Sequence, residues 1–258
     1  MNRLSHNLLS GAFALGLLGG GTVASAAVWD FQGDTVGSAP TNGVIYSDIH
    51  TDVTQVEVVD AASTPADPFG GAGNKSLWME DTGGTNSTLT FGINSPGYTQ
   101  GILSAKIYVV DDATNTFQYV DLNGGTGAAN QGNGDIGPWI QYIPDDYGFR
   151  AITSAGAVYF SNSFPHNAVV DLVLHFDTAT DTFTGTIDGN TLTDGTNTTF
   201  AFFNDLSELT SVRIVHGMSV DRPTATTFYD NVTLVPEPSS MMLLGLGALV
   251  LVRRKRRA

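Results

Sequence analysis

The chain has no cysteine in its 258 residues, which excludes a disulfide framework and a thiolate nucleophile. Cations are nearly as scarce between residues 27 and 235. Only Lys75, Lys106, Arg150, Arg213 and Arg222 stand there against 24 carboxylates, a net charge of −19. Such a surface repels nucleic acid and anionic lipid, and no basic patch offsets it, so nucleic-acid binding is excluded. Glutamate is rare as well. Glu57, Glu80 and Glu208 are the only three in that stretch, and none is spaced with another acid as Glu-x-Asp or Glu-x-x-x-Glu. One strand would need such spacing to offer the paired carboxyls of a glycosidase. Asp111-Asp112 and Asp145-Asp146 are adjacent pairs, which point to opposite faces of a strand or sit in turns. There is no Gly-x-Ser-x-Gly elbow, and His50, His166, His175 and His216 lack His-Glu-x-x-His spacing. The residues therefore point away from an enzyme.

The two ends are unlike the middle. Arg3 is followed by a Gly-rich apolar run from Leu8 to Val23 and then by Ala24-Ser25-Ala26. A basic start, an apolar stretch and small residues at −3 and −1 make residues 1–26 a signal peptide, handled by the Sec translocon and signal peptidase. The mature chain is expected to start at Ala27. At the other end stand Pro236-Glu237-Pro238, then an apolar run from Met241 to Val252, then Arg253-Arg254-Lys255-Arg256-Arg257. Those 12 apolar residues span about 18 Å as a helix, short of a roughly 30 Å hydrocarbon core. The five consecutive cations act as a stop that stays cytoplasmic. In this order, residues 235–258 resemble a PEP-CTERM sorting signal. The resemblance implies exosortase as a partner, a transient stay in the inner membrane, and a final place at the cell surface or in the extracellular matrix of a Gram-negative bacterium rich in exopolysaccharide.

Between the ends, residues 27–235 read as one domain dominated by a period of two. Leu103, Ala105, Ile107 and Val109 alternate with Ser104, Lys106 and Tyr108, and Val170, Leu172, Leu174 and Phe176 alternate with Asp171 and His175. Half-buried strands give this pattern. Asp177 to Asp181 and Asp188-Gly189 mark hairpin turns, the latter being a preferred type I′ pair. Asn123 to Gly137 reads as one long loop, all the prolines as turn or strand-margin residues, and Asn204 to Leu209 as one capped helical turn. About a dozen strands at short intervals imply an all-β fold of two packed antiparallel sheets.

The opening Val28-Trp29-Asp30-Phe31-Gln32-Gly33-Asp34, the central stretch from His175 to Gly189 and the closing Phe228-Tyr229-Asp230-Asn231-Val232 resemble a concanavalin-like or laminin-G-type jelly roll. The resemblance implies that the first and last strands pair. It also implies a structural calcium at Asp30, Asp34 and Asp230, since related modules hold one where those strands meet. The Asn/Asp-rich stretch with Asn123, Asn130, Asn133 and Asp135 is a second, poorer candidate for calcium. Sugar binding needs aromatic faces beside amides and charges, and Trp139, Gln141, Tyr142, Tyr147 and Arg150 make the best cluster available. Alternation puts Trp139 and Gln141 on one face and Ile140 with Tyr142 on the other. The sequence thus suggests an exported, non-catalytic protein that binds carbohydrate, with exopolysaccharide as the partner, or serves as a structural module. A hydrolase on a jelly-roll scaffold is the alternative.

Overall fold

The computed structural model describes residues 26–48, 54–81, 87–93, 96–110, 118–126, 135–143, 148–218 and 225–237. The signal segment, Pro238 and the tail beyond it lie outside these. All pairing among the described strands is antiparallel, in two sheets. The first follows the order β13 (Asn190–Thr191), β12 (Thr182–Ile187), β11 (Val169–Asp177), β6 (Gln100–Val109), β16 (Ala225–Pro236), β4 (Lys75–Asp81) and β3 (Thr54–Asp60). Two short strands complete its nine, β1 (Ala27–Trp29) on β16 and β14 (Phe200–Ala201) on β12. The second has seven strands in the order β10 (Gly156–Tyr159), β9 (Gly148–Thr153), β8 (Ile136–Ile143), β7 (Gln118–Gly125), β15 (Ser211–Met218), β5 (Ser87–Gly92) and β2 (Val44–Asp48).

The alternation explains the sandwich. Leu103, Ile107 and Val109 of β6, with Leu172, Leu174 and Phe176 of β11, face Leu89, Phe91, Val212 and Ile214 of the other sheet, and all are buried. The terminal strands pair as expected, with Ala27 opposite Leu234 and Trp29 opposite Val232. Both hairpins form. Phe176 pairs with Phe183 across the Asp177–Asp181 turn, and Asp188 and Gly189 carry φ of 50° and 76°, as a type I′ turn requires. A second, smaller apolar cluster of Val59, Trp78 and Phe228 forms apart from the main core.

Three local expectations are corrected. The stretch from Asn123 to Gly137 is not one loop: β7 runs through Asn123 to Gly125 and β8 begins at Ile136. Gly124, Gly125 and Gly137 are strand glycines, and Leu209 and Pro138 pack where a Cβ at Gly124 would stand. Pro138 lies inside β8, beside the irregularity between Asn123 and Gly125, and a proline is tolerated where the ladder is already broken. Asn204 to Leu209 forms no helical turn, because its backbone groups are used elsewhere. Asn204 N donates to Ile136 O (3.0 Å), while Leu209 exchanges hydrogen bonds with Tyr98 at 2.8 and 2.9 Å. The Glu208 carboxylate, within that stretch, accepts from Gly97 N at 3.0 Å.

Candidate functional site

The face of the seven-stranded sheet turned away from the core carries two cross-strand rows. One pairs Tyr159 of β10 with Arg150 of β9 and Arg150 with Gln141 of β8. The other pairs Trp139 of β8 with Asn123 of β7, Asn123 with Arg213 of β15, and Arg213 with Thr90 of β5. Period two forces this arrangement, since Ile140, Leu122, Ile214 and Leu89 fill the alternate positions and are buried in the core. Strand pairing thereby brings together residues from six strands.

The rows hold their side chains firmly. Arg150 Nε donates to Gln141 Oε1 at 2.8 Å, and a second guanidinium N–H donates to the same oxygen. A third N–H donates to the Tyr159 hydroxyl at 3.1 Å, with the guanidinium carbon 5.7 Å from the Tyr159 ring centre. Arg213 stands 6.0 Å from the Trp139 ring, and Phe203 meets that ring edge-on at 5.1 Å. Both are cation–π or aromatic contacts that lock a ring in place. Gln141 is 4% exposed and Asn123 is fully buried although both stand on the outer face. Among the described residues, neither side-chain polar atom of Asn123, nor Trp139 Nε1, nor Thr90 Oγ1 has a hydrogen-bond partner. Buried polar groups are ordinarily satisfied, and these atoms are exceptions held beneath the face rather than groups open to a ligand.

Of the five residues expected for sugar binding, Trp139, Gln141 and Arg150 share this face. Tyr142 does not. It points into the core, stacks on Phe164 at 4.5 Å, and its hydroxyl is bonded to His166 Nε2. Tyr147 lies outside the described residues. Three further residues on this face, Tyr159, Arg213 and Asn123, are not marked for sugar binding by sequence pattern. Tyr159 is 49% exposed and is brought in by the β9–β10 pairing, and the glycine-rich composition around Asn123 conceals its strand.

The acidic residues near the chain ends do not gather as the calcium expectation requires. Asp34 is buried, and its Oδ1 accepts from Thr41 N, Thr41 Oγ1 and Asn42 N at 2.9 to 3.2 Å. Asp30 Oδ1 accepts from Gln32 N. Asp230 lies instead beside Asp67, with the Asn74 amide donating to both at 3.4 and 2.9 Å. No group of three His, Cys, Asp or Glu side chains in metal-holding geometry occurs among the described residues. The turn carbonyls nearby already have a cation, because Lys75 Nζ donates to Gln32 O at 3.1 Å and to Asp34 O at 2.6 Å. This donor set does not fit the implied calcium clamp. In the second candidate, Asn123 is a strand residue, while Asn130 and Asn133 lie outside the described residues.

Burial raises the Asp230 carboxyl above the usual carboxylate range, and the nearby charge of Asp67 adds to the rise. Hydrogen bonds from Asn231 N and Asn74, and the charge of Lys106, oppose it. The folded protein thus holds this proton more tightly than the unfolded chain. Its contribution to stability is fully present below the ordinary carboxylate value and is lost as pH rises through the raised one. Thermal melts of wild type and Asp230→Asn across that window check this. The wild type should gain on the variant toward acid pH, and a gain toward neutral pH would contradict the assignment.

At the sorting motif, Pro236 is the last residue of β16 and pairs with Gly101, so the sheet runs one residue beyond the expected domain end at 235. Glu237 N donates to Gln100 O at 3.1 Å, and the Glu237 carboxylate lies 3.4 Å from His175 Nδ1. The basic stop, Arg253, Arg254, Lys255, Arg256 and Arg257, lies outside the described residues. Among the described residues no helix is long and apolar enough to cross a membrane.

Comparison with known families identifies residues 234–257 as a PEP-CTERM protein-sorting motif. This marks an exported protein with a transiently anchored C-terminal step, and exosortase as its processing partner. No curated protein matches the chain in sequence. In structure it is similar to a sialidase (TM-score 0.53, 12% identity), over 82% of this chain and 18% of that one. The chain therefore spans less than a fifth of that protein's length. It is also similar to the carbohydrate esterase vb_24B_21 of the Shiga toxin-encoding bacteriophage phi24B (TM-score 0.53, 13% identity), over 82% of this chain and all of that one. The Emp47p carbohydrate recognition domain aligns over 82% of this chain and 94% of its own at 5% identity, with a TM-score of 0.49. At these identities the likeness to the first two shows the fold alone, a jelly-roll sandwich of two antiparallel sheets.

Proposed function

We propose that the protein is a non-catalytic carbohydrate-binding module of the cell surface or extracellular matrix, and that the outer face of the seven-stranded sheet holds exopolysaccharide. The observation that carries this reading is the Trp139–Arg213 and Tyr159–Arg150–Gln141 pair of rows on one sheet face. Pyranose rings stack on aromatic faces through their C–H edges, while fixed amides and guanidinium groups take the hydroxyls. Two of the five cations in a domain of net charge −19 stand on this face, which lowers its repulsion of acidic glycans. A Gram-negative host with an exosortase and its own exopolysaccharide is the setting that the tail suggests.

The glutamates support a binding role over hydrolysis. Glu57 stands opposite Trp78 on β4, Glu80 accepts from Thr226 Oγ1, and Glu208 from Gly97 N, so the three serve separate parts of the fold. Asp111-Asp112 and Asp145-Asp146 lie outside the described residues. Affinity electrophoresis through the host polysaccharide tests the proposal. Wild type should be retarded, and Trp139→Ala should lose about tenfold in affinity, or ~1.4 kcal/mol, with its circular dichroism unchanged. Equal mobility of the two proteins would remove this face from consideration, and release of new reducing ends would mark a hydrolase instead.

A further inference from the structure

The junction between the terminal strands is where the jelly-roll resemblance implies calcium, and nitrogen donors close it instead. Lys75 opens β4, and its Nζ reaches across to the turn that follows β1. There it donates to Asp34 O at 2.6 Å and to Gln32 O at 3.1 Å. The Gln32 amide runs the other way. Its Nε2 shares its hydrogens among Lys75 O and Asn74 Oδ1, each at 3.2 Å, and Asp30 O at 2.9 Å. Asn74 carries the connection on through Nδ2, to Asp67 Oδ2 at 2.9 Å and to Asp230 Oδ2 on β16 at 3.4 Å. One run of hydrogen bonds thus joins the first turn, the start of β4 and the last strand.

A calcium ion takes about six to eight oxygens, mainly carboxylates and carbonyls. Two carbonyls that could serve it, Gln32 O and Asp34 O, are already turned on an ammonium, and Asp34 Oδ1 is taken by Thr41 and Asn42. An ammonium is a compact point charge whose hydrogens all donate, so it gathers backbone carbonyls as a metal ion does. Unlike the ion, it cannot dissociate. Lys75 is also one of only five cations between residues 27 and 235. Lys106, opposite Asp230 in the β6–β16 pairing, brings a second positive charge to the far side of the junction. We propose that Lys75 is the resident cation of this junction in place of calcium, so that the domain folds and stays folded without the ion. Such a fold is indifferent to acidic polymer that depletes free calcium, because mass action on a bound metal does not enter its stability.

Thermal melts of the mature protein decide it. Wild type should melt at the same temperature, within about 1 °C, in excess calcium and in chelator. A structural calcium held at about 100 times its dissociation constant would instead add roughly 5 °C or more. Such a shift in wild type overturns the inference. Lys75→Met keeps the aliphatic stem and removes the charge. It should melt roughly 3–8 °C lower than wild type, because the charged hydrogen bonds to two carbonyls are lost. A Lys75→Met melt within about 1 °C of wild type would mean that the ammonium does not hold the junction, and this too overturns the inference. If that variant does not fold at all, the wild-type comparison in calcium and chelator still decides. Neither readout involves polysaccharide, so the inference stands or falls apart from the binding face.

Discussion

Phe91→Ala is expected to destabilise the domain by about 3–5 kcal/mol, the range for a phenylalanine lost from a packed core. Phe91 is fully buried on β5 and meets two rings from the start of the chain, Trp29 at 5.4 Å and Phe31 at 6.0 Å. Each aromatic pair adds about 0.5–1.5 kcal/mol beyond the area it buries. Phe31 also has φ of 58°, a left-handed conformation that costs a residue of this kind about 1–3 kcal/mol unless its surroundings hold it. Phe91 is one of those surroundings, so its removal should loosen β1 from β16 as well as open a cavity. The expected fall in melting temperature is roughly 6–20 °C for a domain of this size. Val28→Ala, at a position 50% exposed in the same β1 strand, should stay within about 0.5 kcal/mol. A Phe91→Ala loss below about 1 kcal/mol would mean that the terminal strand does not close the core as described.

Arg150→Met should lower stability by about 1–3 kcal/mol and also weaken polysaccharide retention. The guanidinium is the donor of two hydrogen bonds to Gln141 Oε1, an acceptor on a side chain only 4% exposed. Methionine keeps the aliphatic stem but leaves that oxygen buried without those donors. Arg150 also holds the Tyr159 hydroxyl, so both ends of the row lose their anchor together. Lysine should rescue little, because a point charge cannot present the planar fork to both neighbours. Chemical denaturation gives the first effect, and affinity electrophoresis well below the melting temperature gives the second. Full retention in a folded Arg150→Met protein would confine the binding role to Trp139 and its row.

Much of the sandwich was legible because its strands are buried on one face. Alternation from Leu103 to Val109 and from Val170 to Phe176 fixed two central strands, and Asp188-Gly189 fixed a turn. The helix proposed at Asn204 to Leu209 and the loop proposed at Asn123 to Gly137 failed for one reason. Local composition was overruled by partners distant in sequence, Tyr98 and Ile136 in the first case and Ser211 to Arg213 in the second. The site was half legible. Period two separated Trp139 and Gln141 from Ile140 and Tyr142, and burial of Tyr142 then decided which pair faces outward. Arg213 and Tyr159 join through register between strands, which one chain read alone does not contain. The acids do not form a metal-holding trio: Asp30 and Asp34 are taken by their own turns, with Asp34 turned to Thr41 and Asn42, while Asp230 on β16 is bonded to Asn231 and to the distant Asn74.

The three tryptophans provide the most direct test of the binding face. Trp29 and Trp78 are each 5% exposed and lie in the two apolar clusters, whereas Trp139 stands on the outer face of the seven-stranded sheet. Their indole N–H signals can be followed by ¹⁵N–¹H NMR while the host exopolysaccharide, in short fragments, is added to the processed protein, with Trp139→Phe identifying the relevant peak. The account predicts a saturable shift of the Trp139 indole, with the signals of Trp29 and Trp78 unmoved. A Trp139 signal that stays fixed at saturating polysaccharide, or a shift confined to Trp29 or Trp78, would contradict it.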